Sequence, residues 1–196
     1  MSLPNALKKS SELVNSINDA VRGVTFPASD RARLSAALMD QVYEHHDSIR
    51  LLFNKSWIGS AFALTRITFE TAVRSIWLFR CANDYEVEQF KGDRLNKSLG
   101  NIIAEVESAI EWSGSPLSEV KRKYWTSMCS YAHSGYLQAV RRISPTDIGP
   151  NYSEKEQMEV LSFADFCLLL VSVELCALCN RDDIATRIAG MASMSP

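Results

Sequence analysis

Apolar residues recur at helical spacing along almost the whole chain, and this periodicity restricts its fold more than any other feature. The pattern is clearest in two segments, with Leu3, Leu7, Leu13, Val14, Ile17 and Val21 in the first and Leu34, Leu38, Val42, Ile49, Leu52 and Phe53 in the second. No stretch alternates strictly between apolar and polar residues, as a half-buried strand would. Only 8 glycines and 6 prolines occur in 196 residues, too few for the many tight turns of a sandwich or barrel. We therefore predict an all-α, single-domain bundle of about seven helices.

Capping residues and prolines in the sequence predict where the individual helices begin. We expect one domain over residues 1–196, with an N-terminal helix over 1–22, a core over about 30–180 and a frayed tail over 190–196. Ser29 or Asp30 is the predicted cap of the second helix, and Pro116 stands in a predicted first turn. Ser153 and Glu156 form a capping box that predicts the start of the last long helix. Further helices are predicted over about 56–80, 84–91, 94–112, 116–132 and 136–143, with a short one after residue 180.

Net charge and cysteine content indicate in which cellular compartment the protein is expected. The net charge of −2 provides no overall attraction to nucleic acid or to an anionic membrane. The first ten residues have no continuous apolar stretch and no small-residue cleavage site, so no secretory signal is recognised. Five cysteines form an odd set, and the pair in Cys176-Ala-Leu-Cys179 lies in an apolar helical run. We expect reduced thiols, core packing of the CxxC pair and a cytoplasmic protein.

Residues 163–179 form the most apolar segment of the chain. Asp165 and Glu174 interrupt it, and it is shorter than the roughly 20 residues of a membrane span. We predict no membrane insertion, but a central helix of the bundle or a helix shared with a second subunit in a homodimer. Because the two acids are nine residues apart, they face opposite sides of the helix, and at most one faces a polar pocket.

Three charged residues, Arg66, Glu70 and Arg74, recur every fourth residue on an otherwise apolar helix. This spacing places them on one narrow stripe, where ionised groups need partners or a wet cavity. One interpretation is an inert ladder with Glu70 between the two arginines. The other is a polar pocket inside the bundle that holds an anion, since each guanidinium suits a phosphate or a carboxylate.

His133 stands at a predicted helix end and is followed by Gln138, Arg141 and Arg142. An imidazole near arginines is a candidate for proton transfer beside a phosphate. A helix C-terminus favours its protonated form, which suits a general acid or an anion ligand. The alternative is a histidine that packs against the third helix.

Other polar groups indicate no metal and no cofactor. Adjacent His45 and His46 point about 100° apart on a helix and cannot chelate one ion, so we interpret them as half-buried packing residues. The chain has no paired Glu-x-x-His motif, no HExxH, no phosphate-binding loop and no GxGxxG. The basic residues 121–123 beside Trp125 are compatible with nucleic-acid contact, although a solvated helix face is the simpler interpretation.

Two segments, TRITFETAVR (65–74) and SYAHSGYLQAVRR (130–142), resemble an uncharacterised bacterial all-α family that is similar in outline to the HEPN helical superfamily. The resemblance covers about residues 30–180 and implies a helical bundle that dimerises. HEPN members include metal-independent ribonuclease toxins and antiphage proteins, with an arginine shortly before a histidine on one helix. Ahead of His133 stand Thr126, Ser127 and Met128, so Arg66, Arg74 or Arg141 would have to supply this charge.

Three functional hypotheses follow. In the first, which we favour, the protein is a binding module in which Arg66, Glu70, Arg74, Gln138, Arg141 and Arg142 form a site for an anionic small molecule or phosphate. In the second, it is a HEPN-like ribonuclease in which His133 moves a proton on RNA. In the third, the bundle is purely structural and each polar group is satisfied by its neighbours.

Overall fold

The computed structural model describes residues 1–110 and 114–194 of the chain. Within these residues the protein has nine α-helices, a final 3-10 turn and no β-strand, which confirms the predicted all-α single domain. The helices are α1 (Leu3–Val21), α2 (Asp30–Asn54), α3 (Ile58–Arg80), α4 (Asp84–Lys91), α5 (Leu99–Ile110), α6 (Pro116–Ala132), α7 (Tyr136–Val140), α8 (Glu154–Leu178) and α9 (Asp182–Ala189).

The predicted caps hold the helix starts. Ser29 precedes α2, and its side chain accepts a hydrogen bond from the N–H of Ala32. At the start of α8, Ser153 accepts from the N–H of Glu156, and the Glu156 carboxylate accepts from the N–H of Ser153. Since each bond satisfies an N–H that has no partner within the helix, these short signals determine where the helices begin.

The segment before α5 departs from the prediction, because residues 94–98 are not helical and α5 begins at Leu99. In this segment the ammonium of Lys97 donates to both oxygens of Glu105, at 2.8 and 2.9 Å, and to Glu86. It also lies 4.9 Å from the centre of the Trp77 ring. These side-chain contacts hold the non-helical segment against α3, α4 and α5. The predicted end of this helix, Trp112, lies outside the described residues.

The helical segment after residue 136 is also shorter than predicted, since α7 ends at Val140. Beyond it the chain turns back on itself, and Ile143 pairs with Ile148 in an isolated antiparallel bridge. At the far end of the chain, residues 190–194 form a 3-10 turn instead of the frayed tail that was predicted. Ser195 and Pro196 lie outside the described residues.

Helices α3 and α8 occupy the centre of the bundle. Helix α3 packs against α2, α5, α6 and α8, while α8 also packs against α1, α2 and α9. The main core includes the fully buried side chains of Phe69, Ile76 and Trp77 from α3 and of Cys167 and Val171 from α8. Because α3 and α8 are apolar on most faces, they are the helices that gain most from being surrounded.

Among the described helices, α8 alone is long and apolar enough to cross a membrane by length and composition. In the folded protein, 61% of its most apolar window is buried by other helices. Its two buried acids both have partners inside the chain: Asp165 bonds to His46, and Glu174 accepts from Arg80 at 2.8 Å. Neither acid faces the arginines of the predicted site, which agrees with the expectation that at most one of them would do so.

Candidate functional site

The side chain of Arg66 joins α3 to the end of α6. Its Nη1 contacts Nε2 of His133, and its Nη2 donates to Glu70 Oε1 at 3.4 Å. The guanidinium also stacks 4.9 Å from the centre of the Trp125 ring. His133 is exposed, whereas the side chains of Arg66 and Glu70 are only 19% and 24% exposed. Arg66 is therefore held from three sides by groups of two helices.

Arg74 lies farther along α3 and takes no part in this arrangement. It is half-buried, and its guanidinium makes no hydrogen bond or ion pair with the residues that the structure describes. The predicted ladder, in which Glu70 would bridge two arginines, is thus reduced to the Arg66–Glu70 pair. Arg66 occupies the place beside Glu70 because His133 and Trp125 hold its guanidinium there.

Arg141 is neutralised by an acid at the start of α8. Its guanidinium donates to both carboxylate oxygens of Glu156 and, at 3.4 Å, to the carbonyl of Asn151. Burial alone would raise the pKa of Glu156, but the hydrogen bonds from Ser153 and the charge of Arg141 bring that pKa below its ordinary value. Arg141 therefore holds the loop before α8 in place.

Gln138 and Arg142 line a different opening, a groove of about 620 Å³ between the start of α3 and the α6–α7 corner. We call it the polar groove. Its lining consists of Ser56, Trp57, Gly59, Ser60, Ser134, Gln138, Ala139, Arg142 and Pro150. No acid is among these residues, so its single cation is not neutralised from within the groove. Arg142 is exposed, and its guanidinium makes no hydrogen bond or ion pair with any residue that the structure describes.

Two helix ends shape the polar groove. Ser56 and Ser134 have φ angles of 59° and 55°, in the left-handed region, and each lies two residues after the last residue of a helix and lines the groove. The chain can turn sharply after Ser134 because the next residue is Gly135. A Cβ on Gly135 would lie 2.5 Å from Oγ and 3.0 Å from Cα of Ser130. Glycine is needed here for this close approach, and its own φ of −75° is unremarkable for any residue.

The floor of the polar groove leads toward Arg66. Gly59 and Arg66 are seven residues apart and thus lie on the same face of α3, about 10 Å from each other along the axis. Below Gly59 lies the Tyr152 hydroxyl, which is buried and has no hydrogen-bond partner within the described residues. On the opposite wall, Ser134 directly follows His133. The groove and the Arg66–His133 contact are therefore neighbouring parts of one α3–α6 seam.

The structure thus divides the predicted site into separate places and does not form the single internal pocket expected from the sequence. Arg66, Glu70 and His133 meet at one point, and Gln138 and Arg142 meet in the polar groove. Arg141 faces the other way because consecutive residues at the end of a helix point about 100° apart. Arg74 stands apart from all of them.

A buried polar cluster, which no sequence pattern predicts, joins α1, α2 and α8. Ser10 Oγ donates to Asp165 Oδ1 at 2.5 Å and lies 3.2 Å from His46 Nε2. The predicted half-buried packing role is therefore wrong for His46, which is fully buried and hydrogen-bonded, while His45 is half-buried. No sequence signal connects these residues, since 119 positions separate His46 from Asp165.

The arrangement of this cluster is structural. Nε2 of His46 faces both partners, whereas its Nδ1 has no hydrogen-bond partner among the described residues. A catalytic relay would use the two ring nitrogens for two different partners. Burial alone would lower the pKa of His46, but the hydrogen bond to Asp165 and the nearby carboxylate of Asp47, 3.8 Å from Nδ1, raise it above its ordinary value.

The cysteines and the basic segment form no further candidate site among the described residues. Within them, no group of three or more His, Cys, Asp or Glu side chains is placed to hold a metal ion. All five cysteines are free, and Cys167 and Cys176 are buried. In the basic segment 121–123, Arg122 and Lys123 both pair with Glu119 at the surface.

A family model describes most of this chain. Residues 39–194 match the family of unknown function DUF6988, and the protein belongs to that family. No curated protein and no solved structure matches the chain.

Proposed function

We propose that this DUF6988 protein is a helical binding module that recognises an anionic group, a phosphate or a carboxylate, in the polar groove. One observation carries the proposal: Arg142 faces a groove of about 620 Å³ whose lining contains no acid. Arg66 and Arg141, in contrast, already have carboxylate partners. An anion in the groove would therefore be the first countercharge for Arg142.

Other groups of the groove support the same ligand chemistry. The planar fork of Arg142 suits two oxygens of one anion, and the Gln138 amide adds a neutral donor. Helix α3 begins at the groove, and its N-cap residue, Trp57, provides no side-chain hydrogen bond to the first turn. The N–H groups of that turn and the helix dipole favour negative charge at this position. Arg66 and Glu70 would act as positioning residues that fasten the α3–α6 seam.

A thermal-shift titration with inorganic phosphate and with acetate tests this proposal. A ligand at about 100 times its Kd raises the free energy of unfolding by about 2.7 kcal/mol. We expect Arg142→Gln to weaken binding roughly tenfold or more, because it removes the charged fork. Arg122→Gln is the matched control, an exposed arginine of α6 far from the groove lining. Equal binding by both variants, or no stabilisation of the unaltered protein by either anion, would contradict the proposal.

A second candidate function is a metal-independent ribonuclease, and the Arg66–His133 contact is the observation that favours it. The resemblance to HEPN ribonucleases implies an arginine beside the histidine, and α6 carries none just before His133. Here Arg66 of α3 brings a guanidinium to the same imidazole. In this function His133 would move a proton at the 2′-hydroxyl or at the leaving oxygen, and Arg66 would stabilise the phosphorane.

Incubation of the protein with mixed RNA in EDTA tests the ribonuclease candidate. We expect cleavage by the unaltered protein and none by His133→Ala. Arg66→Lys keeps the charge but loses the planar fork, so partial cleavage is expected from it. Equal cleavage by the unaltered protein and His133→Ala indicates a contaminant, and absence of cleavage removes this function while leaving anion binding untouched.

The oligomeric state and location belong to the same proposal. We propose a cytoplasmic homodimer, as the resemblance and the apolar α8 suggested. The side chain of Phe166 on α8 is the large apolar group of that helix that stays exposed. Light scattering coupled to size-exclusion chromatography measures the mass directly, and a monomer at working concentration would contradict the dimer.

A further inference from the structure

We propose that a second cavity, an apolar trough between α6 and α8, binds a small amphipathic carboxylic acid. The apolar body of this ligand lies along the trough, and its carboxylate meets Arg141 at one end. This site is separate from the polar groove, and it does not depend on the function proposed above.

The packing of the helices explains why the trough exists. Helices α6 and α8 both pack against α3, but they hardly touch each other. A space of about 660 Å³ is left between them, with Phe62 and Thr65 of α3 as its floor. This volume lies within the range of about 300–1,000 Å³ that is typical of small-molecule sites.

The walls of the trough suit an apolar body. Met128 and Tyr131 line it from α6, and Met158 and Phe163 line it from α8. The Tyr131 ring stands edge-on to Phe62, with 5.2 Å between the ring centres. Thioether side chains adapt their shape to a ligand, whereas the aromatic rings give the floor a fixed surface.

The charged end of the trough explains the choice of an acid. Arg141 lines the trough where α8 begins, beside the Glu156 carboxylate of the first turn of that helix. A guanidinium has five N–H donors, and its contacts with Glu156 and Asn151 do not use all of them. Glu156 is itself occupied by Ser153 and Arg141. The lining also contains Lys155 and Glu159, whose charged groups lie 3.8 Å apart, so each cation of the trough has an acid nearby. The ligand carboxylate would therefore join Arg141 as an additional acceptor beside Glu156, without breaking the pair that holds the loop.

The experiment compares octanoate with its neutral analogue octanol by isothermal titration calorimetry. Ser127→Phe fills the trough from α6, and Thr126→Phe is the matched control, because Thr126 is exposed and does not line the trough. We expect octanoate to bind the unaltered protein and Thr126→Phe, and to bind Ser127→Phe at least roughly tenfold more weakly. Circular dichroism and thermal melting show whether Ser127→Phe is folded. Ser127→Leu is the milder filling variant.

The head group is tested with Arg141→Gln. Octanoate affinity is expected to fall roughly tenfold while octanol affinity stays unchanged, since the alcohol has no charge to lose. Equal octanoate binding by the Ser127 and Thr126 variants, or no binding to the unaltered protein, overturns the site. Octanol binding as tight as octanoate, with no effect of Arg141→Gln, overturns the assignment of an acid.

Discussion

His46 of α2 and Asp165 of α8 form an ion pair inside the bundle, with Nε2 at 2.6 Å from Oδ1. Their side chains are 1% and 0% exposed. Ser10 of α1 donates to the same carboxylate oxygen, so one cluster connects three helices that are distant in the chain. A buried charge is stable only with a partner. Substitutions in this cluster therefore measure how much the fold depends on a polar contact in its core.

Removal of Asp165 should destabilise the protein strongly. We expect Asp165→Ala to lower the free energy of unfolding by about 3 kcal/mol or more, because His46 would stay buried without its partner. Urea unfolding followed by circular dichroism measures this change. Asp47→Ala is the control, since Asp47 is exposed and its Oδ1 is 3.8 Å from His46 Nδ1; we expect it to cost less than about 1 kcal/mol. Similar losses in both variants would contradict the assigned importance of the buried pair.

The same pair predicts a pH dependence of stability. The folded protein raises the pKa of His46 above its ordinary value, so the native state binds the proton more tightly than the unfolded chain. This stabilisation is complete below about pH 6.5 and is lost as the pH rises through the folded-state pKa. Asp47 and Arg50 are the other charges near the ring, and His46→Gln is the non-titrating reference. A free energy of unfolding that falls equally with pH in both proteins would refute the prediction.

Gly135 should not tolerate a side chain. A Cβ at this position would meet backbone atoms of Ser130 at 3.0 and 3.1 Å, and backbone cannot move aside as a side-chain end can. We expect Gly135→Ala to lower the free energy of unfolding by about 1–3 kcal/mol, as overpacking does. Gly190→Ala is the control, because its φ is −63° and nothing lies within 4 Å of the new Cβ. Thermal melting of both variants distinguishes them, and an unchanged Gly135→Ala would contradict the close approach.

The serines that precede α8 and α1 should differ in their effect on stability. Ser153 accepts a hydrogen bond from the N–H of Glu156 and donates to its carboxylate, whereas Ser2 makes no capping bond to α1. We expect Ser153→Ala to cost about 1 kcal/mol and Ser2→Ala to cost almost nothing. Chemical denaturation of both variants checks the difference, and equal costs would show that the capping box contributes little.

Local signals predicted much of the fold for a physical reason. A helix forms its backbone hydrogen bonds between residues that are close in sequence. Apolar spacing therefore predicts that the fold is helical, and the caps at Ser29 and Ser153 predict where two of its helices begin. The prediction failed at residues 94–98, where the Lys97 side chain bonds to Glu86 of α4 and to Glu105 of α5. There a tertiary contact outweighed local helical preference.

The candidate site was predictable only in part. The spacing of Arg66 and Glu70 is a local relationship within one helix, and the structure contains that pair. The contact between the side chains of His133 and Arg66 depends on how α6 packs on α3, because 67 positions separate the two residues in sequence. Arg141 and Arg142 are adjacent in sequence, yet one meets Glu156 and the other faces the polar groove.

The amino-acid order by itself determined that the chain is helical, where most helices start, and which faces are apolar, because those properties arise from residues within a few positions of each other. Only the tertiary structure decided which arginines are neutralised, that Ser10, His46 and Asp165 meet, and that α6 and α8 leave a trough above α3. Those outcomes depend on the angles and offsets at which helices pack, and these are set by the whole core together.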